Sequence, residues 1–137
     1  MALTHVVDTS VLTRLGRATV REAIQPRTER GQLGRAGISD LEAGYSARSA
    51  TEWDGLAAAL EIFELIPTTV DHILRARQVQ RLLAAKHQRG RKIPDLLIAA
   101  AAEARGLTVL HYDADFDRIA AITGQACEWV VPAGSVD

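Results

Sequence analysis

Short strand-like segments alternate with helical segments along the chain, and this alternation constrains the fold more than any other feature. Apolar stretches typical of buried strands cover residues 4–7, 65–66, 108–112 and 128–131, and a short strand or a loop is predicted near Arg35. Strands separated by helices indicate a parallel sheet with helices on both of its faces. The sequence therefore predicts an α/β fold with a central parallel sheet.

Helices are predicted from their start and stop signals and from apolar spacing. They are expected over 18–30, from 39, from 51, over 70–88, from Pro94 to the Gly106 cap, and over 114–123. Pro26 is expected to bend or end the first of them. The segment from 51 places apolar residues on one face, namely Trp53, Leu56, Ala57, Leu60 and Phe63. The segment 70–88 has a sparser apolar stripe of Ile73, Ala76 and Leu83.

Length and composition indicate an ordinary globular protein. The composition, 47% hydrophobic and 24% charged, is that of a globular protein. A length of 137 residues corresponds to one domain, so we predict a single domain over 1–137. The single cysteine, Cys127, excludes an internal disulfide and a thiolate metal cluster, and it fits a reducing cytoplasm. Neither a signal peptide nor an apolar stretch of the ~20 residues that a membrane span needs is present, so a cytoplasmic location without membrane association is predicted.

Charge is distributed unevenly along the chain. The formal net charge is only −1, which says little about partners, yet basic residues are concentrated in one short region. They are Arg75, Arg77, Arg81, Lys86, Arg89, Arg91 and Lys92. A solvated helix face is the simplest explanation of such a run. Its place just before Asp95 also makes Arg89, Arg91 and Lys92 candidates for contact with a polyanion.

Four carboxylates lie at similar places in the predicted fold. Asp8 and Asp113 follow strands, Asp95 begins a helix, and Glu42 lies one turn into a helix. In open α/β sheets the carboxyl ends of the strands and the adjoining helix starts form the ligand crevice. Clustered carboxylates repel one another, and binding of hard divalent cations relieves that repulsion. Oxygen ligands without histidine or cysteine spacing favour Mg²⁺ or Mn²⁺ over zinc.

Each acid also has a purely structural explanation. Asp8 can cap the helix that follows it, and Ser39-x-x-Glu42 has the pattern of a capping box. Asp95 in a first helical turn is favoured by the helix dipole, and acids such as Asp113 are common in turns. The functional interpretation therefore depends on the combination and order of the acids rather than on any one of them.

Four segments in this order resemble the PIN-domain family, in particular the VapC-type toxins of VapBC pairs. They are Val6-Val7-Asp8-Thr9-Ser10-Val11-Leu12, Ile38-Ser39-Asp40-Leu41-Glu42-Ala43-Gly44, Ile93-Pro94-Asp95-Leu96-Leu97-Ile98-Ala99 and Leu110-His111-Tyr112-Asp113-Ala114-Asp115-Phe116. The resemblance covers nearly the whole chain. Tyr112 departs from the pattern, since the family often has a small or basic residue there.

The resemblance implies a three-layer α/β/α PIN-like domain and a metal-dependent endoribonuclease. It implies that Asp8, Glu42, Asp95 and Asp113 converge as metal-binding, catalytic acids, with Asp115 as a more variable additional ligand. Thr9 or Ser10 matches an accessory hydroxyl. RNA is the implied substrate, and Mg²⁺ or Mn²⁺ the implied cofactor. A VapB-type antitoxin helix in an apolar groove around Trp53, and a homodimer or toxin–antitoxin hetero-oligomer, are the implied partners.

Two other functions remain compatible with the acids, and a third lacks a residue that it requires. An aspartyl-phosphate phosphohydrolase also has paired acids such as Asp113 and Asp115, although there they follow the first strand. A non-catalytic RNA-binding regulatory module would use the acids only as caps and would bind RNA without regard to Mg²⁺. A receiver-like domain would need a lysine after a late strand, and none follows Leu110.

Overall fold

The computed structural model describes residues 2–88 and 92–137. Within them a five-stranded sheet, every strand pair of which is parallel, has the order β3-β2-β1-β4-β5. Its strands are β1 (His5–Val7), β2 (Leu33–Ala36), β3 (Glu64–Ile66), β4 (Thr108–His111) and β5 (Cys127–Trp129). The predicted parallel α/β architecture is confirmed, and the segment near Arg35 is a strand.

Seven helices are present in the same described part of the chain. They are α1 (Thr9–Leu12), α2 (Ala18–Glu29), α3 (Gly37–Gly44), α4 (Ala50–Leu60), α5 (Val70–Ala85), α6 (Ile93–Ala104) and α7 (Asp115–Thr123). Pro26 lies inside α2 without ending it, Pro94 lies in the first turn of α6, and Gly106 just past α6 has a positive φ of 65°. Among residues 2–88 and 92–137 no helix is both long and apolar enough to cross a membrane.

Two hydrophobic cores, one on each face of the sheet, make this a three-layer structure. Successive side chains of a strand point to opposite faces, and Val6 packs in one core while Val7 packs in the other. The same division separates Val109 from Leu110 in β4. Helices α5, α6 and α7 cover the first face, and α1 and α2 cover the second.

Two predictions about helix faces were wrong in detail. Ile73 is 48% exposed and therefore does not belong to the buried stripe of α5, which Ala76 and Leu83 do occupy. Phe63 is fully buried but lies beyond the end of α4, whereas the other four predicted residues of that face line one small pocket, namely Trp53, Leu56, Ala57 and Leu60. A helical period of 3.6 locates a face but not the angle at which a neighbouring element covers it.

The connections between strands change direction next to β1, because the chain builds the sheet outward first on one side of β1 and then on the other. From β1 the chain adds β2 and then β3 on one side, whereas β4 and β5 lie on the other. Ligand sites in parallel sheets lie outside the carboxyl ends of the strands at such a switch. Asp8 directly follows β1 and Asp113 follows β4 by two residues, so both acids lie at this position.

Candidate functional site

An acidic cavity of about 470 Å³ lies at the switch position. The four acids that the sequence singled out all line it, namely Asp8, Glu42, Asp95 and Asp113. Thr9, Ser10 and Lys92 line it as well, together with Thr13, Arg14, Tyr112 and Ala114. The structure therefore brings together side chains from β1–α1, α3, α6 and the β4–α7 loop, as predicted.

Asp8 acts both as a helix cap and as a lining residue of the cavity. It is the N-cap of α1, where its Oδ2 accepts a hydrogen bond from the main-chain N–H of Ser10 at 2.9 Å. Its Oδ1 is buried and has no hydrogen-bond partner among residues 2–88 and 92–137. Burial raises the pKa of Asp8 and the nearby Glu42 carboxylate adds to this effect, although the hydrogen bonds from Ser10 oppose it. The capping explanation of Asp8 is thus correct but accounts for only one of its oxygens.

Glu42 is held in place by a hydroxyl rather than by a capping box. Helix α3 begins at Gly37 with Ala36 as its N-cap, so the predicted capping box of Ser39 and Glu42 is wrong. Instead the Thr9 hydroxyl donates to Glu42 Oε1 at 2.6 Å, and the buried Ser39 hydroxyl lies 2.9 Å from Thr9 Oγ1. A hydroxyl has one proton and a carboxylate only accepts, so this arrangement assigns the Thr9 proton to Glu42.

Asp95 is the most electrostatically strained acid of the cavity. It lies in the first turn of α6, is 3% exposed, and its Oδ2 has no hydrogen-bond partner in the described part of the chain. Burial, together with the negative charges of Asp8 and Asp113, raises the pKa of Asp95 to about 8. A carboxyl that is buried next to other acids needs either a proton or a cation.

Asp113 is stabilised by groups that Asp95 lacks. Its Oδ2 accepts a hydrogen bond from the Lys92 ammonium at 2.9 Å, and its Oδ1 accepts one from the main-chain N–H of Asp115 at 2.9 Å. Burial alone would raise the pKa of Asp113, but these partners outweigh it and the pKa lies below its usual value. Lys92, in turn, has a raised pKa because of its hydrogen bond to Asp113. The lysine therefore already supplies positive charge to this part of the cavity.

One group of acids has the compactness of a metal site. Asp95, Asp113 and Asp115 each offer a carboxylate oxygen within 4.8 Å of the others. Asp115 also accepts a hydrogen bond from Arg118 at 3.1 Å and is not itself a lining residue of the cavity. Two unsatisfied buried oxygens, Asp8 Oδ1 and Asp95 Oδ2, complete a donor set made of hard oxygens. Such a set fits a divalent cation, because hard cations of this kind take oxygen ligands.

The other predicted site residues are the hydroxyl residue Ser10 and the basic residues before α6. Ser10 Oγ accepts a hydrogen bond from the main-chain N–H of Tyr112 at 2.8 Å, which ties α1 to the loop that carries Asp113. Among the predicted polyanion contacts, Lys92 lies at the cavity, whereas Arg89 and Arg91 fall outside the described residues.

Two residues near the acids were missed by sequence reasoning. His111 is fully buried, stacks on Phe116 with ring centroids 5.1 Å apart, and accepts a hydrogen bond from the main-chain N–H of Asp113 at 3.2 Å. Arg14 lines the cavity beside Tyr112. Arg14 lies beyond the end of α1, where no periodic pattern indicates that it faces the cavity, and nothing in the spacing of the histidines singled out His111.

Comparisons with known proteins agree with this geometry. The PIN domain family model matches residues 5–122. Over 137 residues the chain is 61% identical to "Ribonuclease VapC51" of Mycobacterium tuberculosis, with all of both chains covered. It is 44% identical to "Ribonuclease VapC21" of the same species, with 98% of this chain and 99% of the relative covered.

Solved structures show the same fold. The toxin–antitoxin structure "DNA bound VapBC from Salmonella typhimurium" matches with a TM-score of 0.76 at 21% identity, covering 94% of this chain and 99% of that one. VapBC-5 from Mycobacterium tuberculosis matches with a TM-score of 0.67 at 26% identity, covering 93% and 98%. The family match, the full-length relatives and the acidic cavity at the switch position lead to one conclusion: the chain belongs to the PIN-domain family.

Proposed function

We propose that this protein is a metal-dependent endoribonuclease and the toxin of a type II toxin–antitoxin pair. The observation that carries the proposal is the convergence of Asp8, Glu42, Asp95 and Asp113 on one cavity, with buried carboxylate oxygens left unsatisfied. Full-length relatives named as VapC ribonucleases support the activity. The substrate is RNA, cleaved by hydrolysis of phosphodiester bonds.

Nucleases of the PIN-domain family use a divalent metal, and the acids of this chain fit one. Asp95, Asp113 and Asp115 are the proposed ligands because their oxygens already lie within 4.8 Å of one another. Asp8 joins them through its unsatisfied Oδ1. We propose Mg²⁺ or Mn²⁺, since the donor set is carboxylate oxygen and contains neither thiolate nor imidazole. When bound, the cation supplies positive charge to the phosphodiester and lowers the pKa of a coordinated water.

The residues of the chain hold and orient the reacting groups. Thr9 fixes the Glu42 carboxylate, which leaves Glu42 Oε2 to accept a hydrogen bond from a water that attacks the phosphodiester. Ser10 keeps the β4–α7 loop, and with it Asp113, against α1. Lys92 offers its ammonium both to Asp113 and to an approaching phosphate. We keep Arg89 and Arg91 as proposed RNA contacts beside it.

We also propose a VapB-type antitoxin as the partner. The solved structures that resemble the chain include toxin–antitoxin complexes, VapBC-5 among them. On α3 and α4, and at Tyr45 directly after α3, large apolar side chains are exposed, with Tyr45 at 92%, Leu41 at 68% and Trp53 at 44%. An amphipathic antitoxin helix would cover such a face, and an arginine following it would reach the acids. A homodimer or toxin–antitoxin hetero-oligomer and a cytoplasmic location complete the proposal.

The activity is tested directly on the purified protein. Incubation with total cellular RNA and Mg²⁺ should give discrete cleavage ends, and EDTA should abolish them until excess Mg²⁺ is restored. RNA binding without cleavage, unaffected by Mg²⁺ or EDTA, would contradict the nuclease and favour an RNA-binding module. Trapping of a phospho-aspartate with borohydride would instead favour a phosphohydrolase.

The Thr9 hydroxyl gives a sharper test of the positioning argument. Replacing Thr9 with Val keeps the shape but removes the hydrogen bond to Glu42, and we expect RNA cleavage to fall by roughly 10–100-fold, the usual cost of losing a group that orients a metal-site carboxylate. Thr9→Ser keeps the hydroxyl and should retain most of the activity. Initial cleavage rates of the two variants, measured at saturating Mg²⁺, provide the comparison. Equal rates for Thr9→Val and the unaltered protein would exclude this role.

A further inference from the structure

Arg14 lines the acidic cavity, but the arrangement of metal ligands gives it no role. Its guanidinium is held at three points. Nη1 donates to the main-chain oxygen of Ser10 at 2.8 Å, and Nε donates to the main-chain oxygen of Asp137 at 2.9 Å. Its Cζ lies 4.8 Å from the centre of the Tyr112 ring, which adds a cation–π contact. Arg14 is thus fixed in position before any ligand arrives.

Arg14 keeps hydrogen-bond donors for a ligand. Its two hydrogen bonds go to the main-chain oxygen of Ser10 and to the backbone oxygen of Asp137, the last residue of the sequence, and within residues 2–88 and 92–137 no side-chain carboxylate pairs with it. A guanidinium has five N–H donors, so these two bonds leave three. Lys92 differs, because its ammonium lies 2.9 Å from the side chain of Asp113, one of the cavity acids, whereas Arg14 is bonded to none of them. Arg14 therefore combines a fixed position with three N–H donors for an anionic substrate.

The Tyr112 contact and the size of the cavity fit a phosphate group as that anion. A cavity of about 470 Å³ is large enough for more than the reacting phosphodiester and its cation. The planar fork of arginine matches a phosphate in two-point geometry, and its stacking on an aromatic ring keeps that fork oriented. A ligand bound by a preorganised side chain loses less of its affinity to conformational entropy.

We propose that Arg14 binds a backbone phosphate of the RNA that neighbours the phosphodiester being cleaved, and thereby sets the register of the strand in the cavity. This inference rests on the proposed ribonuclease function and adds a specific substrate contact to it. The metal-binding acids act on the reacting phosphodiester, whereas Arg14 holds the adjoining one. Cleavage then occurs at a fixed distance along the strand from the phosphate that Arg14 binds.

The experiment measures RNA affinity and its dependence on salt. Fluorescence anisotropy with a labelled pool of randomised single-stranded RNA is recorded over a KCl series, with Ca²⁺ in place of Mg²⁺ and strand integrity checked on a gel. Arg14→Met should weaken binding about tenfold or more, because a charge-assisted contact is lost. The slope of log K against log salt should become shallower by about 0.7, the value for one phosphate contact on a single strand.

Arg17→Met is the matched control. Arg17 also contacts Asp137, through an ion pair of 3.4 Å to its side chain, but it does not line the cavity. This variant should keep the affinity and the slope of the unaltered protein. Arg14→Lys provides a second test that keeps the charge but lacks the fork, and we expect a normal slope with intermediate affinity. Melting curves of all variants establish that they are folded.

The outcomes separate the two proposals. Unchanged affinity and slope in Arg14→Met, in a protein that cleaves RNA with Mg²⁺, would overturn the role of Arg14 and leave the ribonuclease function standing. Equal losses in Arg14→Met and Arg17→Met would also overturn it, because the effect would then come from the Asp137 segment. Absence of any metal-dependent cleavage by the unaltered protein would overturn the ribonuclease function and this inference together.

Discussion

Asp95→Asn is expected to reduce metal-dependent RNA cleavage at least about a hundredfold. Loss of a group that merely orients a metal ligand already costs 10–100-fold, and Asp95 is proposed as a ligand itself. Its carboxylate is buried, one of its oxygens is unsatisfied, and it lies within a compact group of acids with Asp113 and Asp115. Asparagine keeps the shape but removes the charge that attracts the cation. Initial rates over a Mg²⁺ titration measure the effect.

The control for Asp95→Asn is Asp71→Asn. Asp71 also lies in the first turn of a helix, α5, but it is exposed and does not line the cavity. If favourable interaction with the helix dipole were the whole explanation of Asp95, both substitutions would change stability slightly and neither would change cleavage. Full activity of Asp95→Asn in saturating Mg²⁺ would remove Asp95 from the proposed metal site.

In the absence of metal, Asp95→Asn should also unfold at a higher temperature than the unaltered protein. The raised pKa of Asp95, about 8 against an ordinary value of 3.8, means that its ionisation destabilises the folded state. The folded protein holds a proton that the unfolded chain has lost, so this contribution lowers stability as pH rises from about 4 to about 8. In EDTA, the melting temperatures of Asp95→Asn and the unaltered protein should therefore differ little near pH 4 and most above about pH 8. Each kcal/mol of difference is worth roughly 4 °C.

The difference between the two proteins cancels the contributions of titrating groups that do not interact with Asp95. Burial lowers the pKa of His5 and His111, and their contributions make stability fall as pH drops below about 6.5 in both proteins alike. Asp113 has a lowered pKa, so its contribution is lost only below the window in which Asp95 acts. Saturating Mg²⁺ should reverse the order of the melting temperatures, since a ligand that binds only the folded state stabilises it. A melting-temperature difference that is constant with pH would contradict the strained state of Asp95.

The sequence predicted the architecture because the relevant signals are local. The apolar segments around β1 and β4, followed directly by acids, need only the geometry of a parallel sheet to bring Asp8 and Asp113 together. Strand β2 was ambiguous because Gly34 and Arg35 are poor strand formers. It is nevertheless a strand, since Gly34 leaves space for Leu3 and Ile66, and Arg35 is buried against Asp40. Such contacts depend on neighbours that a local pattern does not reveal.

The same limit explains the errors at the site. Ser39 and Glu42 have the spacing of a capping box, but their hydroxyl partner, Thr9, lies thirty residues away in sequence and decides where they point. Arg14 was missed because its orientation depends on Asp137 and Tyr112, at the other end of the chain. The acids were found because their chemistry is conspicuous in sequence, whereas the groups that hold them are ordinary residue types.

The three consecutive residues Val6, Val7 and Asp8 have a consequence for the kinds of change this protein tolerates. Val6 packs in the core under α5, α6 and α7, Val7 packs in the core under α1 and α2, and Asp8 lines the cavity. Gaining or losing a single residue in β1 would exchange the two valines and turn the carboxylate away from its companions. This segment should therefore accept conservative replacement far more readily than any alteration of its length, and a library of insertions and substitutions scored for toxicity would reveal that asymmetry.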